Sequence, residues 1–232
     1  MRSSLVIVTF TSLIGLSVAC STSKQIAHKT SHYSLDEHFQ SRKSDENKSS
    51  GLALGIGPIL LPGYLDRPQL VRESRQGKLL AHDLHRWEEP LSLEIQKFLA
   101  QEMTSKVPMA HIELHPWRRA HQMDFQWKLQ IHRFENDSSS QEMQLKGDLE
   151  FIHLKSRRIL RKESFDLKHS LQTDEISEQV EAMRSLLKVL VARMTEMIPS
   201  HAERNLVRNR SASVLSSERL DLPSNHKDEQ RQ

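Results

Sequence analysis

The first clear alternation runs Leu52-Ala53-Leu54-Gly55-Ile56-Gly57, bulky and nearly bare positions taking turns. It predicts a strand with one apolar face and one face that a helix or second backbone can approach closely. Pro58, Pro62, Gly63 and Pro68 then break the pattern, and residues 57–75 read as an irregular loop or an edge-strand extension. At Leu91, Ile95, Phe98, Leu99 and Met103 the period becomes helical, with Pro90 suited to the first turn and Glu88 and Glu89 placed beside the positive helix end. A short strand is expected at 111–114. Phe125, Trp127, Leu129 and Ile131 alternate with Gln126, Lys128, Gln130 and His132, and the alternation returns at Met143, Leu145, Leu149 and Phe151, and at Phe165, Leu167 and Leu171. With a turn at 137–140 and a basic connection at 155–162, these three strands read as an antiparallel meander. Ile176, Val180, Met183, Leu187, Leu190, Met194 and Ile198 recur every three or four residues, a long amphipathic helix stopped near Pro199. The expected fold is α+β, a mostly antiparallel sheet with two helices packed on one face, in the order β-α-β-β-β-β-α.

The ends of the chain differ from its middle. Residues 20–50 and 201–232 are rich in Ser, Lys, Arg, Asp, Glu and Asn with few apolar positions, too little to offset the entropy of ordering, so they read as a flexible tether and a disordered polar tail around a domain at 51–200. The first nineteen residues have another pattern. Arg2 precedes an apolar stretch at 5–18, shorter than the roughly 20 residues a spanning helix needs, and Leu16-Ser17-Val18-Ala19-Cys20 closes it with small residues and the only cysteine. This is the layout of a lipoprotein signal peptide, residues 1–19, with Cys20 as the lipid-attachment residue. Ser17 stands where a large aliphatic residue is usual. Several acyl chains on Cys20 would hold the protein stably at a membrane, whereas one would not.

Composition and charge narrow the chemistry. The 33 basic and 30 acidic residues nearly balance, and one cysteine excludes an intrachain disulfide. Thirteen histidines include His82 with His85 and His111 with His115, but no Cys/His cluster or helical H-x-x-x-H with a third ligand accompanies them, so no metal and no cofactor are assigned. No nucleophile with an activating partner, phosphate loop or dinucleotide fingerprint is found, and the chain is read as no enzyme. Arg118, Arg119, Arg157, Arg158, Arg161 and Lys162 form either a solvated surface or a contact for phosphate-bearing headgroups or a partner; nucleic acid is not expected of an exported protein.

Two ordered blocks carry a resemblance. Gly55-Ile56-Gly57-Pro58 leads to Tyr64-Leu65-Asp66-Arg67-Pro68-Gln69-Leu70-Val71, and His85-Arg86-Trp87-Glu88-Glu89-Pro90-Leu91 follows. On these residues the chain resembles the PqiC/YmbA family of ABC-transport auxiliary lipoproteins, over roughly residues 51–200. The resemblance implies a non-catalytic lipoprotein in the bacterial cell envelope, anchored at the outer membrane through acylated Cys20 and facing the periplasm. It implies an auxiliary role in intermembrane lipid transport, docked to an MCE-domain conduit protein, with a homo-oligomer as one form. Pro58, Tyr64, Leu65, Asp66, Arg67, Pro68, Trp87, Glu88, Glu89 and Pro90 are carried over as recognition or architectural residues. Two uses of the Tyr-Leu-Asp-Arg-Pro block stand open: a loop stiffened by Pro68 and presented to a partner, or a segment packed internally. The alternative function is a periplasmic lipoprotein that binds a small apolar ligand between sheet and helices.

Overall fold

A computed structural model of the protein describes residues 29–35, 52–117 and 122–200. The alternating segments form strands because every second side chain finds the core. In β2 (Ala53–Leu60) Leu54, Ile56 and Ile59 are buried, as are Phe125, Trp127, Leu129, Ile131 and Phe134 of β6 (Phe125–Asp137). In β7 (Glu142–His153) Met143, Leu145, Leu149 and Phe151 point inward, and in β8 (Arg158–Ser170) Phe165 and Leu167 do so. The predicted stripes of α1 (Leu91–Lys106) and α2 (Ile176–Glu196) are buried in full, apart from Ile198, which lies past the end of α2 and is half-buried. Phe151 stacks on Phe125 with ring centroids 5.1 Å apart and packs against Trp127 at 5.0 Å, tying β6 to β7 in the core.

The α+β class and the β6–β7–β8 meander agree with expectation. The sense of the sheet does not. Among the described residues four of its seven strand pairings are parallel: β1 (Ser31–Tyr33) with β4 (Leu79–Trp87), β2 with β5 (His111–Leu114), β2 with β6, and β3 (Gln69–Glu73) with β6. Only β3–β4, β6–β7 and β7–β8 are antiparallel. Hydrophobic alternation has the same period in both senses, so it identifies strands but not how distant ones pair. The element order gains three strands, β1, β3 and β4, and runs β-β-β-β-α-β-β-β-β-α. Residues 69–73, read as loop, are strand β3, and Ser31–Tyr33, read as tether, are strand β1. Pro90 sits one place earlier than expected, at the N-cap of α1, where its carbonyl accepts from Glu94 N–H at 3.1 Å.

Strand β6 organises the sheet. One edge pairs with β7 along its whole length. The opposite edge is shared: β2 takes Phe125 to Gln130, and β3 takes Asn136 and Asp137. Between them is a gap, spanned by the β2–β3 connection. Pro58 lies at the register shift between Ile56 and Ile59, where a missing N–H costs the ladder nothing. Gly57, with φ of +100°, lets α1 come close there; a Cβ would stand 2.9 Å from Gln96 Nε2. That amide instead donates to the carbonyls of Ile56 at 2.7 Å and His115 at 2.8 Å, and Gln126 donates to the Gly57 carbonyl at 2.8 Å. The close approach predicted at Gly55 is made by an aromatic ring, Trp117, rather than by backbone: a Cβ on Gly55 would lie 2.5 Å from it.

Candidate docking site

The two sequence blocks meet in space. Trp87 N–H donates to the Pro68 carbonyl at 2.8 Å, and Gln69 lies opposite Arg86 in the β3–β4 ladder. Each block divides into an inner and an outer part. Leu65 and Trp87 are 3% and 5% exposed, whereas Asp66, Arg67, Pro68, Glu88 and Pro90 are on the surface. The outer residues form a ledge of charged residues and prolines over an apolar base. Asp66 and Arg67 have no side-chain partner among the described residues, and Glu89 pairs with Lys97 of α1.

Tyr64 settles which use of its block applies to it. The phenol donates to Glu135 Oε2 at 2.8 Å and lies 3.2 Å from the His132 carbonyl, within the β6 gap that neither β2 nor β3 covers. Glu135 is 2% exposed, and it also accepts from Arg133 Nε and Phe134 N–H, both at 2.8 Å, while Arg133 reaches Glu73. Burial first, then the Glu135 carboxylate, push the Tyr64 pKa far above the ordinary tyrosine value. The Glu135 hydrogen bond raises that of Arg133. Tyr64 therefore bolts the connection to β6, and Asp66-Arg67-Pro68 is the part left at the surface.

A second polar cluster was not legible in the sequence. Leu35 is 1% exposed, and the carboxylate of Glu94 on α1, also 1% exposed, accepts from Leu35 N–H at 2.9 Å and Ser34 Oγ at 2.7 Å. From α2, Arg184 donates to the carbonyls of Leu35 at 3.0 Å and Ser34 at 2.8 Å. The two helices thus grip the N-terminal strap from both sides. Glu88 N–H adds a bond to the Tyr33 carbonyl at 2.9 Å, joining strap and ledge. Fifty-nine residues separate Leu35 from Glu94, and no local pattern announces such a contact.

The remaining candidates are dispersed. Cys20, Arg118 and Arg119 lie outside the described residues. Lys162 pairs with Glu150 at 2.9 Å and Arg161 donates to the Glu196 carbonyl at 3.2 Å, while Arg157 and Arg158 are exposed at the β7–β8 turn. His111 bonds Glu113 at 2.8 Å, away from His115, whose ring packs edge-on against Trp117. Among the described residues no group of three His, Cys, Asp or Glu side chains converges as metal ligands do, and no helix is long and apolar enough to cross a membrane. Beneath the ledge, Leu65, Gln69, Trp87, Leu91, Phe134 and Met183 border a cavity of about 10 Å³, room for about one water molecule.

Fold and site define an α+β domain that offers an exposed two-block ledge on a rigid apolar base. Solved structures share that fold: an uncharacterized protein at TM-score 0.60 and 16% identity, covering 74% of this chain and 99% of its own, and protein XCC0632 from Xanthomonas campestris at 0.53 and 12%, covering 62% and 81%. A PelC dodecamer from Paraburkholderia phytofirmans has a TM-score of 0.39 at 10% identity, over 60% of this chain and 84% of its own. No curated protein matches the sequence. The family profile for the ABC-type transport auxiliary lipoprotein component matches residues 33–195, and the chain belongs to that family. The matched span includes the ledge, α1, all of α2 but its last residue, and the strap from Tyr33 onward.

Proposed function

We propose that the protein is a non-catalytic auxiliary component of an ABC/MCE-type intermembrane lipid-transport system, docking an MCE-domain conduit protein through the ledge of Asp66, Arg67, Pro68, Glu88 and Pro90. Acylated Cys20 anchors it in the outer membrane facing the periplasm. The observation that carries this reading is the junction of the two blocks: the Trp87 to Pro68 hydrogen bond gathers surface residues that sequence order keeps apart, with no internal use for Asp66 or Arg67 among the described residues. Exposed charges and prolines over a rigid base suit recognition, since little entropy is lost on binding. Several copies assembled side by side would multiply the ledge around one conduit. The alternative, carriage of a small apolar molecule between sheet and helices, gains no support from the cavity beneath the ledge, which at about 10 Å³ is far below the several hundred Å³ typical of a ligand pocket.

The test is photocrosslinking in cells, with the photoreactive residue at Arg67 and, as an inward-facing comparison, at Tyr64. Recovery of an MCE-domain protein from Arg67, reduced by Cys20→Ala, is the expected result. Normal accumulation with crosslinks only to bound lipid would overturn the docking role.

A further inference from the structure

Strand β4 has a feature that the ledge does not use. Across the β3–β4 ladder Gln69 faces Arg86 and Val71 faces Ala81, so the four residues 82–85 bulge out opposite Leu70 alone. Bulges of this kind re-aim side chains. Here they bring Arg72, His82 and His85 together: the His82 and His85 rings meet edge-on at 5.6 Å, and His85 Nδ1 is held by the Tyr33 hydroxyl at 2.9 Å. Arg72 Nε and His82 Nε2 are both buried and have no hydrogen-bond partner among the described residues. The adjacent carboxylate, Glu73, is engaged by Arg133, and Asp83, the one acidic residue of the bulge, is exposed. After burial, the influences on the His82 ring are positive ones, Arg72 and then His85, and they lower its pKa.

Arg72 and His82 are both only half-buried, so part of each lies at the surface of the bulge. A guanidinium forms its strongest hydrogen bonds to charged oxygens, and an imidazole adds a second donor through whichever ring nitrogen carries its proton. Beside them stands an apolar group. Leu80, opposite Arg72 in the ladder, and Leu84 are 40% and 38% exposed, and β1 covers β4 only at His85–Trp87. At the tip of the same hairpin Arg75 and Lys78 are exposed, adding positive charge. An anion acceptor next to an apolar contact is the chemistry of an amphiphile whose head carries a phosphate. The chain also enters the fold here, since β1 runs parallel to β4, which places Lys29 toward the hairpin tip. Lys29 follows Cys20 by nine residues, at most about 30 Å of extended chain.

We propose that the β4 bulge binds the phosphate of an anionic phospholipid at a bilayer surface, with Arg72 and His82 on the phosphate oxygens and Leu80 and Leu84 against the apolar boundary beneath the headgroups. Only the nearness of that bilayer rests on the reading of Cys20 as an anchor; the conduit ledge is a separate surface. The acyl chains on Cys20 would hold the protein at the membrane, and this contact would fix the orientation of the domain on it.

The test uses the full mature chain with Cys20→Ser, so that no acyl chain holds it to vesicles. Co-sedimentation is measured with phosphatidylcholine vesicles with and without phosphatidylglycerol, and inorganic phosphate is titrated by NMR. Binding to the phosphatidylglycerol vesicles alone is expected, weakened about tenfold by Arg72→Gln and by His82→Gln, the loss of one charge-assisted hydrogen bond. Leu80→Ser with Leu84→Ser should weaken vesicle binding yet leave phosphate shifts at Arg72 and His82 intact. Because Arg72 has no hydrogen-bond or ion-pair partner among the described residues, Arg72→Gln should not lower the melting temperature, which separates lost binding from lost folding. Phosphate binding without vesicle binding would overturn the lipid assignment. Vesicle binding that survives both Arg72→Gln and His82→Gln, or no binding of either probe, would overturn the site. Arg67 crosslinking to a conduit is unaffected in each case, so the two readings fail independently.

Discussion

Replacing Glu94 by Ala should release the N-terminal strap without unfolding the sheet. The carboxylate holds Leu35 N–H and Ser34 Oγ, and both Glu94 and Leu35 are 1% exposed. A hydrogen bond to a charged group contributes about 1.5–3 kcal/mol, and in the variant the Leu35 N–H loses its acceptor. Taking about 2–3 kcal/mol for the pair, since their contributions are not independent, local opening should become about 30- to 150-fold more frequent at roughly 1.4 kcal/mol per factor of ten. Leu35→Ala should act in the same direction, by about 2–5 kcal/mol for a buried leucine, capped at the free energy that holds the strap. The strap pairs with β4 through three residues only, so it can detach as a local unit. The assay is native-state hydrogen exchange at the amides of Leu35 and Glu88, the latter bonded to the Tyr33 carbonyl, against amides of the β6–β7 ladder. Equal loss of protection in both sets would show that the strap belongs to the global unit, and unchanged protection at Leu35 would show that Glu94 does not hold it; either result refutes the reasoning.

Further outcomes follow from the same geometry. Tyr64→Phe should cost about 1–2 kcal/mol in urea denaturation by removing the bond to Glu135, with Arg133 and Phe134 N–H still compensating that carboxylate. Because the folded Tyr64 pKa is raised, its contribution is complete below the unfolded value of about 10 and is lost as pH rises above it. Alkaline titration should therefore destabilise the parent more steeply than the Phe variant, and parallel curves would contradict the assignment. Gly55→Val should expel the Trp117 ring, seen as a red shift in tryptophan fluorescence and about 1–3 kcal/mol lost; Trp117→Ala in the same chain should recover most of that loss. Arg67→Glu should abolish capture of the conduit protein while leaving the melting temperature within about 1 °C, as expected for an exposed side chain with no internal partner.

Some of this protein was determined locally and can be read from the chain. The α1 and α2 stripes, the β6–β7–β8 meander and the inward face of β2 follow from periodicity, because a buried face must repeat with the geometry of its own element. The two motif blocks were also legible as blocks. Their internal division was not, because Tyr64 and Arg67 look equally suited to a partner until Tyr64 is seen donating to Glu135.

Tertiary structure alone decided the rest. Parallel pairing of β2 and β3 along one edge of β6 joins segments of the chain that are far apart, and alternation carries no information on such pairings. The strap shows the same limit: Ser31–Tyr33 and Leu35 sit in a polar stretch whose composition argues against order, yet β4, Glu94 and Arg184 supply from a distance the partners that its own residues lack. At the β4 bulge His82 and His85 were visible as a pair, but only the irregular register brings them together with Arg72 beside exposed leucines. Sequence fixes what each residue can contribute through its own chemistry and local period; the long-range contacts decide which of those contributions face one another, because their energy depends on distances that local order does not set.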